Sequence, residues 1–150
     1  MKITKAEIKD AKSLTALAIQ SKAYWGYSKN QIEAWREELT VTTNYIERNS
    51  VFKLCNLNEI VGFYAFYLKE NFAEIDLLFI SPKYIRKGFG EILLRDCLNR
   101  IKNTKAIKVI SDADPNAEEF YKRQGFKTVK LKESSIKNRF PSVMEMKLQN

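Results

Sequence analysis

The stretch Leu77-Leu78-Phe79-Ile80-Ser81-Pro82-Lys83-Tyr84-Ile85-Arg86-Lys87-Gly88-Phe89-Gly90 constrains this chain more than any other. An apolar run that reads as a strand meets Ser-Pro, which a strand interior does not tolerate. A basic, glycine-bearing loop follows. It opens a run in which Phe89, Leu93 and Cys97 align, as do Leu94, Leu98 and Ile101, the spacing of a helix to about Lys102. Such a connection has the makings of an anion site. The first N–H groups of a helix lack intrahelical partners, and the helix dipole favours negative charge there. Glycine lets an anion approach the backbone closely. Lys83, Arg86 and Lys87 add positive charge. The plainer reading is a strand–turn–helix connection with surface lysines. No Gly-Lys-Ser/Thr is present for a nucleotide P-loop, and Leu93 stands where a third glycine would complete a dinucleotide fingerprint.

The rest of the chain alternates in the same way. Residues 1–6 read as a strand, and Asp10 as the cap of a helix ending near Lys22. Ser28, with Gln31 in the capping-box position, opens a second helix with Ile32, Trp35 and Leu39 on one face, and Thr42 caps a short turn. Val51–Leu57, Ile60–Leu68 and Phe72–Ile80 read as strands. Ala106–Ile110 is a buried strand. Asp114-Pro115 starts a helix that Gly125 stops, and Phe126–Leu131 and Val143–Leu148 close the chain. The order predicts an α/β chain whose mixed sheet carries helices on its faces.

Composition narrows the chemistry. The 150 residues suit one domain, 1–150, with 45% hydrophobic and 29% charged residues. There is no histidine, which removes Ser-His and Cys-His nucleophile systems and the commonest zinc ligand. Cys55 and Cys97 stand in unrelated contexts, so no disulfide framework or metal site is expected. No apolar run has the length of a membrane span and no signal-peptide core is present, so a cytoplasmic protein without a membrane partner is expected. The net charge of +8 comes from lysines spread along the whole chain, which argues against a dedicated nucleic-acid surface.

The run from Ile85 to Gly90, preceded by an apolar strand, X-Pro and a tyrosine, resembles the cofactor motif Gln/Arg-X-X-Gly-X-Gly/Ala of the GNAT (GCN5-related N-acetyltransferase) family. Ile85 stands where that family usually has Gln or Arg. The stretch Asn116-Ala117…Phe120-Tyr121-Lys122-Arg123-Gln124-Gly125-Phe126 resembles the family's second signature. The resemblance implies a mixed, mostly antiparallel sheet flanked by helices, an acetyl-CoA cosubstrate and an amine acceptor. It implies that Ile85, Arg86, Lys87, Gly88, Phe89 and Gly90 meet the CoA pyrophosphate and that Asn116 contacts the CoA arm. It places Tyr121 near the thioester sulfur as donor to the leaving thiolate.

Acetyl transfer also needs a free amine, because an ammonium of pKa about 10.4 cannot attack a thioester. Glu74 and Asp76 share one strand face and are the candidate bases, either directly or through water; Glu74 is the first choice. A backbone N–H near Phe79-Ile80 would meet the oxyanion. Trp25 and Tyr27 either face a cationic substrate or pack at a helix corner, and Tyr64, like Asp76, is a candidate for the acceptor wall. The expected partners are acetyl-CoA and an amine on a small molecule or protein, and a homodimer is compatible with this. A CoA-binding regulatory module without turnover is the alternative, against which Tyr121 and Glu74 speak.

Overall fold

Apolar runs and turn residues alternate into regular elements in the computed structural model, which describes residues 1–134, 136 and 138–148. Strand β1 (Lys2–Lys5) precedes helices α1 (Ala11–Ala23), α2 (Lys29–Ala34), α3 (Arg36–Leu39) and α4 (Thr43–Arg48). Three strands follow: β2 (Ser50–Asn56), β3 (Glu59–Lys69) and β4 (Phe72–Ile80). The remaining elements are α5 (Phe89–Lys102), β5 (Lys108–Ala113), α6 (Glu118–Arg123), β6 (Lys127–Leu131) and β7 (Ser142–Lys147). Among the described residues the strands are ordered β1-β2-β3-β4-β5-β7-β6. β4 and β5 run parallel, while the pairs β1–β2, β2–β3, β5–β7 and β6–β7 are antiparallel. This is the mixed, mostly antiparallel sheet with helices that the sequence predicts.

The fold divides into two compact units, Met1–Phe66 with Leu77–Cys97, and Tyr67–Asp76 with Leu98–Asn150. In the first unit, Leu14, Leu17 and Ala18 of α1 pack with Leu39, Val41, Ile46, Val51, Phe63, Ala65 and Leu77. Each fully buried large side chain there contributes about 1.5–3 kcal/mol. Two expected caps form: Ser28 Oγ accepts the Gln31 N–H at 3.1 Å, and Thr42 Oγ1 accepts the Tyr45 N–H at 3.0 Å.

Two local expectations change. The helix expected from Ser28 through Leu39 is two helices, because Trp35 (φ −92°, ψ 0°) leaves helical geometry between α2 and α3. Asp10 does not cap α1. A 3-10 turn, Ile8–Asp10, leads into the helix, so the Asp10 side chain reaches back to the Glu7 N–H at 2.8 Å. The same oxygen lies 2.8 Å from Lys53 Nζ in a pair with only 14% and 10% of the side chains exposed. The carboxylate therefore holds the Lys53 ammonium above its ordinary 10.5 against the opposing effect of burial.

In the second unit Phe72–Ile75 of β4 pair in parallel with Lys108–Ser111 of β5. β7 lies along the whole of β5, and β6 pairs with β7 through an irregularity between Thr128 and Lys130. Gly125 (φ +101°) adopts the left-handed conformation that ends α6 and turns the chain into the buried Phe126.

Candidate active site

The basic glycine loop is built from β4 outward. The Ser81 N–H donates to the Val61 carbonyl at 2.8 Å, which pins the end of β4. Pro82 fixes the first residue of the turn Pro82–Tyr84, and the Tyr84 N–H closes it on the Ser81 carbonyl at 2.8 Å. Arg86 (φ +66°) and Gly88 (φ +86°) are then both left-handed. Such conformations turn successive N–H groups toward one side of the chain and create anion-binding concavities. A Cβ built at Gly88 would meet no heavy atom within 4 Å, so the space over this backbone is open. The next residue starts α5, a 14-residue helix long enough to carry a full dipole.

A brace that the sequence pattern does not reveal holds this loop. Glu59, at the start of β3, accepts from Lys83 Nζ at 2.8 Å and from the Tyr84 hydroxyl. The partners are 24 and 25 residues away in sequence, beyond any local periodicity. Hydrogen bonds from Lys83 and then Tyr84 lower the Glu59 carboxyl below its ordinary value, and Glu59 raises the Lys83 ammonium. Phe89 packs edge-on against the Tyr84 ring, and Lys87 Nζ lies 5.9 Å from that ring's centre. Lys83 is thus spent on the brace, while the Arg86 and Lys87 side chains are exposed.

The aromatic candidates divide. Tyr64 is fully buried, stacked on Phe52 at 5.5 Å, and donates to Asp96 at 2.7 Å. That burial corrects its expected place in an acceptor wall. Residues Val61–Phe66 of β3 are all buried, so the strand has no open face there. Tyr27 already faces a cation of the chain itself: Lys22 Nζ lies 5.6 Å from its ring and 4.8 Å from the Trp35 ring. Trp25 is 39% exposed and stacks edge-on with Tyr24 at 5.1 Å.

The other candidates lie in the second unit. Tyr121 is 5% exposed, with its ring edge-on to Phe120 and to Phe126. Buried Ser111 donates to Tyr121 Oη at 3.2 Å, with the Ile75 carbonyl at 3.4 Å as a second acceptor. Glu118 ties α6 down, accepting from Thr128 at 3.0 Å and from the Ser142 hydroxyl. Those bonds, Ser142's first, hold the Glu118 carboxyl below its ordinary value.

Glu74 is half-buried and Asp76 exposed, alternating with buried Ala73 and Ile75 as the shared-face reading requires. Burial, then the neighbouring Glu74 carboxylate and the charges of Asp76 and Asp112, push the Tyr67 phenol far above its ordinary 10.0. Asn116 sits in the turn before α6, where Asp114 Oδ1 accepts both its backbone N–H and its side-chain Nδ2 at 2.9 Å. Of the loop Glu133–Pro141, Ser135 and Lys137 lie outside the described residues. Among the described residues no helix is long and apolar enough to cross a membrane.

A family model for the acetyltransferase (GNAT) domain matches residues 7–149 of this sequence. The chain is 32% identical over 114 residues to the N-acetyltransferase YafP of Escherichia coli K12, covering 75% of this chain and 70% of that protein. Its fold superimposes on the PaiA N-acetyltransferase of Thermoplasma acidophilum, solved in complex with coenzyme A. The TM-score is 0.82 at 24% identity, over 98% of both chains. The ribosomal-protein-S18-alanine N-acetyltransferase of Escherichia coli also matches, with a TM-score of 0.75 at 15% identity over 97% of this chain and 92% of that one.

Proposed function

The chain belongs to the GNAT family of acetyltransferases, and from that premise we propose that it is one catalytic domain that moves the acetyl group of acetyl-CoA to a primary amine by direct attack in a ternary complex. The observation that carries this reading is the loop itself. Left-handed Arg86 and Gly88, with open space over Gly88, lead directly into the N-terminus of α5. That is a backbone cradle a pyrophosphate fits and a side chain at position 88 would fill.

In this reading the N–H groups from Ile85 to Gly90 meet the pyrophosphate, and the exposed Arg86 and Lys87 attract its charge. Asn116 contacts the arm. A backbone N–H at Phe79-Ile80 stabilises the oxyanion as the amine nitrogen bonds to the carbonyl carbon. As the C–S bond breaks, Tyr121 gives its phenolic proton to the leaving thiolate, and the Ser111 donor on Tyr121 Oη steadies the phenolate left behind. Glu74, directly or through water, takes the proton the amine must lose, and Asp76 adds negative charge that favours a cationic acceptor. Trp25 is the exposed aromatic for contact with that acceptor. Tyr27 takes part only if Lys22 gives up its place over the ring.

The test is a screen of amine classes that follows free thiol release from acetyl-CoA. The expected result is amine-dependent thiol release that Gly88→Glu abolishes. Acetyl-CoA binding without thiol release for any amine class would oppose turnover and favour a regulatory binding module.

A further inference from the structure

We propose that Arg139, in the loop between β6 and β7, is a positioning residue for cofactor binding, holding the Asn116 carboxamide through Asp114. The inference rests on the reading that Asn116 contacts the CoA arm. Asp114 divides its two oxygens. Oδ1 accepts the Asn116 N–H and Nδ2, each at 2.9 Å, and Oδ2 accepts Arg139 Nη2 at 2.8 Å. Only 13% of each charged side chain is exposed, so the pair is shielded from water on both sides. For a carboxylate this enclosed, the facing guanidinium offsets part of the hydration lost on burial. The charge in turn makes Oδ1 a strong acceptor for the Asn116 amide.

The chain of contacts fixes a direction. The Asn116 Nδ2 donates to Asp114 Oδ1, and this bond fixes the orientation of the carboxamide that is to meet the arm. Without Arg139 the Asp114 carboxylate loses the bond that fixes Oδ2 and with it the orientation of Oδ1. The exposed Asn116 side chain then regains its rotamers.

Arg139 is itself held in place. Its Nη1 donates to Ser134 Oγ at 3.3 Å and its N–H to the Ile136 carbonyl at 3.2 Å. The Lys132 N–H closes the loop on the Pro141 carbonyl at 2.7 Å. Lys132 Nζ also meets Asp112 at 2.6 Å, so the same loop grips alternate residues at the end of β5. A loop required only to join two antiparallel strands needs neither pair, since a short turn would do.

Calorimetry with two probes separates positioning from general support. CoA carries the arm, and adenosine 3′,5′-bisphosphate lacks it. Arg139→Gln is expected to weaken CoA roughly tenfold and leave the bisphosphate within about twofold. Asn116→Ala is expected to do the same, and the double variant to be no worse than Asn116→Ala, because both act through one contact. The KM for acetyl-CoA should rise with kcat retained. If Arg139→Gln does not fold, Asp114→Asn removes the charge that joins the two residues and should show the same split. Asn116→Ala without effect would overturn the Asn116 reading and the inference with it. Asn116→Ala weakening CoA while both Arg139→Gln and Asp114→Asn leave it unchanged would overturn the inference alone. Equal weakening of both probes would show general support of the fold and would also overturn it.

Discussion

Replacing Gly88 by alanine separates two consequences of one glycine. The residue is left-handed at φ +86°, and a Cβ there meets nothing within 4 Å. No clash with the protein therefore enters the reckoning. The folded state carries only the backbone penalty of a side chain at positive φ, about 1–2 kcal/mol. In a chain of this size that lowers Tm by roughly 2–8 °C. The effect on acetyl-CoA is separate. The open space over Gly88 is where the pyrophosphate is proposed to lie, so the methyl group holds a phosphate oxygen away from at least one N–H. Losing one charge-assisted hydrogen bond costs about 1.5–3 kcal/mol, or roughly 10- to 160-fold in Kd. Titration calorimetry reads the affinity, and thermal unfolding without ligand reads the stability. A fall in Tm with unchanged acetyl-CoA affinity would refute the placement of the pyrophosphate, leaving Gly88 a residue of the turn alone.

Three further outcomes are expected. Tyr121→Phe keeps the ring between Phe120 and Phe126 and removes the proton donor, so turnover should fall roughly 10²–10⁴-fold with acetyl-CoA affinity nearly unchanged; an unchanged rate would make Tyr121 a packing residue. Glu74→Gln should slow turnover most near neutral pH, where the acceptor is ammonium, and least near the amine pKa; superimposable pH–rate profiles would remove Glu74 as base, and Asp76→Asn measured in parallel shows whether its neighbour serves instead. Asp10→Ala strands Lys53 and should cost about 3 kcal/mol in urea unfolding at pH 7. Because Lys53 is raised above 10.5 in the fold, its share of that stability is fully present below pH 10.5. It disappears as the pH rises through the raised value, so the gap between variant and wild type should narrow in alkali; a gap that widens there contradicts the assignment.

Local punctuation was legible in the sequence because its physics is local. Ser28, Thr42 and Gly125 bound their helices through contacts only a few residues away, and Pro115 opens the 3-10 turn that leads into α6. β4 runs from Phe72 to Ile80 as read, since an apolar run met a proline. What stayed hidden depends on partners far along the chain. Asp10 reads as a cap until Lys53, 43 residues on, is seen against it. Tyr64 reads as a candidate for the acceptor wall, yet the centre of β3 is buried on both sides. The Glu59 brace, the Ser111 contact with Tyr121 and the Arg139–Asp114 pair each join elements whose packing no sequence period encodes.

The most direct test of the account incubates the protein with acetyl-CoA, with and without an amine that triggers thiol release. Free thiol, acetylated amine and the intact mass of the protein are followed together. Direct transfer in a ternary complex predicts one thiol for each acetylated amine, no thiol without amine, and a protein mass that never gains an acetyl group. Thiol released ahead of the amine, with an acetyl group retained on the protein, would contradict it.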